Sequence, residues 1–177
     1  SETRSLDLAL IGNGRLGALV DERATIVWCC FPRFDGDPLF CALLDTAPPP
    51  EARGLWAIEM LDLAEAAQSY TENTAVLVTR LTDHKGGVIE ITDCAPRFDH
   101  HGRLHQPMSL LRRVRRLAGS PRIVVRLRPV FQWGRYKPQV TTGSHHIRYV
   151  GDEMTVRLTT DASLTAVLEE LERAKPA

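Results

Sequence analysis

Residues 10–40, "LIGNGRLGALVDERATIVWCCFPRFDGDPLF", decide how this chain folds. Three glycines, Gly12, Gly14 and Gly17, follow a short apolar run with the spacing of a dinucleotide-binding loop, and acidic residues lie about 20 residues further on. Such a loop has to open a helix inside a strand–helix–strand unit. The residues after Gly17 instead read "ALVDERATIVW", apolar at both ends and polar from Asp21 to Ala24. This pattern predicts a β-hairpin, so we expect the glycines to serve tight turns or close backbone approach, and not a phosphate.

Short segments rich in β-branched and aromatic residues continue along the chain, and turn residues separate them. They predict strands at 24–30, 55–60, 75–81, 88–94, 122–130, 146–150 and 154–158. The stretch "SLLRRVRRL" (109–117) fits a helical stripe as well as a strand, and its neighbours favour the strand. A short helix is expected at most near 39–44. At the C-terminus, "LTAVLEELERA" leaves both a helix and a strand at 164–168 open. Together these segments predict an all-β, antiparallel sandwich.

Composition places the chain among ordinary globular proteins. A length of 177 residues predicts a single domain over 1–177, and Pro48–Pro50 are expected to form a loop within it. Hydrophobic residues make up 44% of the chain, and the 22 basic residues balance the 22 acidic ones. A molecule without net charge has no field that attracts a polyanion or an anionic membrane surface. No apolar run is long enough to span a bilayer and the first residues lack a secretory pattern, so the expected location is the cytoplasm.

Metal, cofactor and nucleic-acid sites are not expected. The four cysteines, Cys29, Cys30, Cys41 and Cys94, lack a ligand spacing and are predicted to be buried thiols. "HHGRLH" (100–105) indicates a polar loop, and the pair His145–His146 has no third ligand nearby in sequence. The arginines between 112 and 128 lack the interleaved aromatic residues of a nucleic-acid site. We expect them to form a solvated face, or a face docked on an acidic partner.

The hairpin and its surroundings resemble the start of the N-terminal domain of bacterial and archaeal glycoside hydrolase family 15 enzymes, the glucoamylases, glucodextranases and trehalases. The family pattern is "IG(D/N)…GALV…G(S/T)I.W.C.PRFDSP..F..LL". It is matched by Ile11, Gly12, Ala18, Leu19, Val20, Ile26, Trp28, Pro32, Arg33, Phe34, Asp35, Pro38, Phe40, Leu43 and Leu44. Later stretches that look like family motifs are "YTENTAVLVTRL", "GVIEITDCAPRF", "LLRRVRRLAG" and "RLRPVFQWGR". The chain departs from the pattern at Gly36 and Asp37, where serine usually precedes the proline, and at Arg23, where the turn usually has glycine.

This resemblance implies a large antiparallel two-sheet β-sandwich (supersandwich) that packs against an (α/α) barrel. In the family, that barrel carries the two glutamates of an inverting α-glucoside hydrolase, and their positions lie beyond residue 177. The chain is therefore expected to be an accessory domain, non-catalytic alone, that meets substrate only through the full enzyme. Its own carboxylates, Asp35, Asp37, Glu90 and Asp93, are not expected to form an acid–base pair. The alternative is a free-standing carbohydrate-binding module, for which Trp56, Trp133 and Tyr136 are the candidate platforms.

Two loops carry the candidate contact residues. In "FPRFDGDPLF" (31–40), Arg33, Phe34 and Asp35 are predicted to face the substrate cleft or the partner domain; alternatively, Phe34 packs into the sandwich. In "FQWGRY" (131–136), the candidates are Phe131, Trp133 and Tyr136. A domain that normally docks should carry an apolar patch rimmed by arginines. Cut from the barrel, it is expected to form a homodimer through that patch.

Overall fold

The computed structural model describes residues 5–45, 47 and 51–163, and these residues form an all-β fold. Its strands are β1 (Ala9–Gly12), β2 (Gly17–Val20), β3 (Ile26–Cys30), β4 (Pro38–Phe40), β5 (Leu55–Met60), β6 (Leu63–Tyr70), β7 (Leu77–Asp83), β8 (Val88–Cys94), β9 (Phe98–His100), β10 (Arg103–His105), β11 (Leu111–Ala118), β12 (Ile123–Arg128), β13 (Gln139–Thr142), β14 (His146–Val150) and β15 (Thr155–Thr159). Two single-turn 3₁₀ helices lie at Ala42–Leu44 and Gln132–Gly134. The all-β prediction and the short helix near 39–44 are confirmed.

Two large antiparallel sheets dominate the fold. The first has the order β1–β2–β3–β5–β12, with β4 also paired to β3, and the second has the order β11–β8–β7–β6. A three-stranded sheet, β13–β14–β15, and the β9–β10 hairpin complete the described part of the chain. The predicted hairpin is β2–β3, and its turn is held by Asp21, whose Oδ1 accepts the backbone N–H groups of Arg23 and Thr25 at 2.9 and 2.8 Å.

The core lies between these sheets because their strands alternate in burial. On β8, Ile89, Ile91 and Asp93 point inward, whereas their neighbours are half-buried. Ile89 and Ile91 pack against Ile58 and Met60 of β5 in the opposite sheet. A second cluster joins β1–β3 to Ile147 and Tyr149 of β14, and a third covers the other face of the first sheet with Ala42 and Ala52. The six-stranded sheet is therefore covered on both faces.

A buried ion pair connects the two large sheets. Arg112 on β11 donates from Nε and Nη2 to the two carboxylate oxygens of Asp93 on β8, at 2.8 and 3.0 Å, and the two side chains are 2% and 0% exposed. The same guanidinium reaches the first sheet, where it donates to the carbonyl of Trp56 (2.6 Å) and lies over the Trp56 ring. It also donates to the carbonyl of Ala24 in the β2–β3 turn. The expected solvated arginine face is therefore wrong for Arg112. It is also wrong for Arg128, which is buried and donates to Ala52 O at 3.0 Å.

One further sequence prediction is wrong, one strand was not predicted, and two predictions fall on residues that the structure does not describe. "HHGRLH" is not a loop but part of the β9–β10 hairpin, because His101 and Gly102 both adopt positive φ (51° and 71°), as a two-residue hairpin turn requires. Strand β6 was not predicted, since "LAEAAQSY" is poor in β-branched residues. The alternatives at 164–168 and the Pro48–Pro50 loop lie outside the described residues.

Candidate functional site

The glycine-rich segment forms the turn between β1 and β2, and Asn13 holds it in place. The Asn13 side chain is almost fully buried; its Oδ1 accepts the N–H groups of Arg15 and Leu16 at 3.0 and 3.1 Å. Its Nδ2 donates to the carbonyls of Pro96 and Pro107, both at 2.9 Å. All four bonds of the amide serve the protein itself. The turn therefore anchors the 96–107 segment, and its backbone amides do not form a phosphate cradle.

Gly12 and Gly17 are paired across the same hairpin. Because neither has a side chain, a neighbouring group can lie directly against the backbone at each position. A Cβ on Gly12 would lie 2.9 Å from the Leu16 carbonyl oxygen. A Cβ on Gly17 would lie 2.9 Å from Phe34 Cε1 and 3.5 Å from Leu10 Cδ1. The Phe34 ring therefore rests over Gly17 beside Leu10. It remains 59% exposed, which favours the contact role over packing inside the sandwich.

The loop that carries Phe34 runs over residues 31–37, between β3 and β4, and begins at the cis peptide bond Phe31–Pro32. On either side of Phe34, Arg33 and Asp35 form a bidentate ion pair, Nε–Oδ1 2.8 Å and Nη2–Oδ2 2.6 Å. The hydrogen bond from Arg33 lowers the pKa of Asp35, and the carboxylate raises that of Arg33. Both side chains are exposed, and this ion pair holds them together at the surface.

The second candidate segment, 131–136, is a left-handed turn that displays Trp133. Gln132, Trp133 and Gly134 adopt φ values of 49°, 59° and 82°, and the turn is closed by Arg135 N–H to Gln132 O at 3.1 Å. Trp133 is 52% exposed, and its Nε1 donates to Asp37 Oδ1 at 2.9 Å. Its ring meets Trp28 of β3 at a centroid distance of 6.3 Å and a tilt of 56°. The structure thus brings the two predicted loops together.

The other members of the two predicted sets have different surroundings. Phe131 is 6% exposed and packs in the core, so it supports the turn from beneath and offers no contact surface. Tyr136 is half-buried and packs edge-on against Phe131, at a centroid distance of 6.4 Å. Burial raises the pKa of Tyr136, and its hydrogen bond to Asp152 raises it further. Trp56 lies under the Arg112 guanidinium and is no platform.

Exposed apolar side chains surround the β1–β2 turn, and we call this surface the hairpin patch. Its members are Leu10, Phe34, Phe98 and Leu104, each about half exposed or more. Phe98 and Leu104 line a groove of about 260 Å³ together with Arg15, His105, Gln106 and Pro107. Gln106 Nε2 donates to Asn13 O at 2.6 Å, which fixes this groove to the turn. Sequence reasoning missed Leu10, Phe98 and Leu104, although Phe98 stands in a second "PRFD" at 96–99.

The carboxylates that could perform acid–base chemistry already have partners. Asp93 is paired with Arg112, and Asp35 with Arg33. Glu90 lies between Arg80 (3.1 Å) and Arg115 (2.7 Å), and the Arg80 hydrogen bond is the main reason its pKa is lowered. A general acid in glycoside hydrolysis requires a raised pKa. The lowered pKa values of Asp35 and Glu90 are the opposite of what that role needs.

The sulfur and imidazole groups show no metal geometry in the part of the chain that the structure describes. Within it, no group of three or more His, Cys, Asp or Glu side chains is arranged to hold an ion. All four cysteines are free thiols; Cys29 is buried, which raises its pKa to about 12, and the other three are half-buried. His105 stacks on Phe98, with ring centroids 5.4 Å apart.

In the described residues, no helix has the length and apolarity to cross a membrane.

Comparison with known proteins identifies the family. The model of the trehalase-like N-terminal domain matches residues 3–172, which is nearly the whole chain. The chain belongs to the trehalase-like N-terminal domain family. The family resemblance found in the sequence motifs is thereby confirmed at the level of this domain.

Curated relatives of this trehalase-like domain are much longer than the chain. A trehalase of Thermoplasma volcanium is 27% identical over 156 residues, which cover 87% of this chain and 24% of the relative. Trehalase 1 of Sulfolobus acidocaldarius is 30% identical over 145 residues, 81% of this chain and 22% of the relative. The chain thus spans under a quarter of either relative's length. No solved structure matches the chain significantly.

Proposed function

We propose that this chain is the accessory, non-catalytic N-terminal domain of an inverting α-glucoside hydrolase of family 15, of the trehalase or glucoamylase type. The proposal rests on the match of the trehalase-like N-terminal domain family to residues 3–172. The relatives that match this region are named trehalases, and they continue far outside it. The domain's work is to dock on the catalytic (α/α) barrel of the same polypeptide and stabilise it. The four free thiols support a reducing, cytoplasmic location.

The hairpin patch is the surface that we assign to docking. Leu10 and Phe34 lie beside Gly17, and Phe98 and Leu104 line one groove next to the turn. Large apolar side chains exposed in this number on one side of a hairpin are typical of a surface that another protein covers. Arg15 and the Arg33–Asp35 pair lie at its edge, as the polar rim of an interface would. Because the turn is anchored by Asn13, the patch is presented on a rigid support.

Docking is tested in the intact parent protein with Phe34→Ser. An aromatic anchor buried at an interface contributes more than about 1 kcal/mol, so we expect the variant to unfold this domain in a separate, earlier transition while the wild type unfolds cooperatively. Leu44→Ser is the matched control, since Leu44 is 64% exposed on the 3₁₀ helix and outside the patch. Differential scanning calorimetry measures both. A single unchanged transition in Phe34→Ser would contradict docking through this patch.

The non-catalytic role has its own test. We expect the purified 177-residue chain to release no glucose from trehalose, maltose or isomaltose above a heat-inactivated sample. Asp35, Glu90 and Asp93 are each paired with arginine, and the trehalases that the chain resembles continue far outside the matched region. Glucose release that survives repurification would contradict the proposal.

A further inference from the structure

A second surface feature, lined by residues other than those of the hairpin patch, is an open cleft beside Trp133. It has a volume of about 450 Å³ and is lined by Asp37, Gln132, Trp133, Arg135 and Glu153. One wall is an exposed indole, and the other lining groups are amide, carboxylate and guanidinium. The cleft thus combines one exposed aromatic side chain with several polar groups on an open surface, and an aromatic ring with a polar edge suits a ligand that is itself partly apolar and partly polar.

The indole wall is held in a fixed orientation. Asp37 Oδ1 accepts the Nε1 proton at 2.9 Å, and Trp28 supports the ring from β3. Two non-glycine residues in succession, Gln132 and Trp133, adopt the left-handed conformation, which costs free energy at each position. Strain of this kind is concentrated at ligand-contacting positions. Here the strained turn carries an aromatic side chain that is half exposed.

The polar groups restrict the chemistry of the ligand. Two carboxylates, Asp37 and Glu153, face one guanidinium, Arg135, so the cleft does not favour an anion. Carboxylate oxygens accept hydrogen bonds from hydroxyl groups, and the guanidinium and the Gln132 amide donate to their oxygens. The C–H face of a pyranose ring packs on an indole while its hydroxyl groups point to the rim. A neutral sugar fits all of these groups at once.

We propose that this cleft binds a glucosyl unit of an α-glucoside by stacking it on Trp133, with Asp37, Arg135 and Glu153 bonding its hydroxyl groups. The stacking geometry requires only a pyranose; the choice of an α-glucoside rests on the proposed function. The site is non-catalytic and holds substrate on the domain through residues that are not members of the hairpin patch. Docking and sugar binding can therefore fail separately.

The test is a calorimetric titration of the 177-residue chain with trehalose, maltose and maltotetraose, with sorbitol as an open-chain polyol that cannot stack. We expect saturable millimolar binding of at least one sugar and none of sorbitol. Trp133→Ala should weaken it by about tenfold or more, equivalent to about 1.4 kcal/mol, and Trp133→Phe by less. Phe34→Ala, which removes an equally exposed aromatic group from the hairpin patch, should leave the affinity within about twofold.

The variant Asp37→Asn removes a negative charge from the cleft and keeps its shape, so it tests whether the charge contributes to sugar binding. The amide oxygen can still accept the Trp133 indole proton, so the variant keeps the platform and should retain weakened binding, between wild type and Trp133→Ala. Circular dichroism verifies that each variant is folded. Absence of saturable binding by all three sugars, or equal affinity in wild type and Trp133→Ala, would overturn the site. If sugars do not bind but Phe34→Ser still uncouples the domain in the parent protein, the sugar site is refuted and docking stands.

Discussion

At the scale of single residues, Arg112 connects several parts of the fold. It pairs with the buried Asp93 and donates to the carbonyl of Trp56 in the opposite sheet and to that of Ala24 in the β2–β3 turn. We expect Arg112→Met to destabilise the protein by about 3–5 kcal/mol, because it leaves an uncompensated carboxylate in the core. The neighbouring exposed Arg113 is the control, and Arg113→Met should change stability by less than about 0.5 kcal/mol. Urea denaturation measures both.

The same pair explains what the sequence could and could not predict at this scale. "SLLRRVRRL" predicts a strand, and successive residues of a strand face opposite sides, but this cannot show which arginine meets a buried carboxylate on the adjacent strand. Trp133 was predicted as a contact residue from its residue type. Its half-exposed position was not predictable, because it depends on positive φ at two residues and on a hydrogen bond to Asp37, which is far away in sequence. If Arg112→Met proved no less stable to urea than Arg113→Met, the buried pair would not be the link between the sheets.

At the scale of elements, the two glycines of the β1–β2 hairpin should respond differently to substitution by alanine. Gly12→Ala would press a methyl group on the backbone carbonyl of Leu16, so we expect a loss of about 1–3 kcal/mol. Gly17→Ala meets only the exposed Phe34 ring, which can swing away, and should cost under about 1 kcal/mol. Equilibrium denaturation measures the two variants side by side. An equal loss in both would mean that the Phe34 ring is fixed over Gly17.

An ion-paired carboxylate on the four-stranded sheet, Glu90, should make the stability of the protein depend on pH. Arg80 and Arg115 hold the pKa of Glu90 below its ordinary value of 4.5. A lowered folded-state pKa adds stability that is complete above the unfolded value and is lost as the pH falls through the folded one. Glu90→Gln should therefore be less stable than wild type at pH 7, by about 0.5–1 kcal/mol, with the difference shrinking below pH 4.5. Glu65→Gln, on the edge strand of the same sheet, is the control.

That stability difference is measured by urea titrations at several pH values. A difference that stays constant from neutral to acid pH would show that Glu90 acts by packing and not by charge.

Element prediction from sequence succeeded where turn signals were strong, as at "DERA" between β2 and β3. It failed for β6, whose alanines and glutamate form a strand only because β7 lies beside them and supplies seven paired residues.

At the scale of the whole molecule, the two surfaces have different expected occupants. The hairpin patch is apolar and is assigned to the catalytic part of the polypeptide, whereas the Trp133 cleft is polar around one ring and is assigned to a sugar. The loop 31–37 serves both, since Phe34 lies on Gly17 and Asp37 holds Trp133. The two proposed surfaces therefore draw on residues three positions apart in one loop, Phe34 for docking and Asp37 for the sugar.

The isolated chain should associate with itself through the hairpin patch. Without the catalytic part, Leu10, Phe34, Phe98 and Leu104 are exposed to water, and a two-fold dimer is the simplest assembly that covers one patch with another. We expect sedimentation velocity to show a concentration-dependent dimer that Phe34→Ser weakens and Leu44→Ser does not. The far-ultraviolet circular dichroism of Phe34→Ser should stay unchanged, because the ring lies on the surface of the hairpin and not in the core. A variant that unfolds would place Phe34 among the core residues, and a wild type that stays monomeric at every concentration would mean that the patch needs its natural partner to associate.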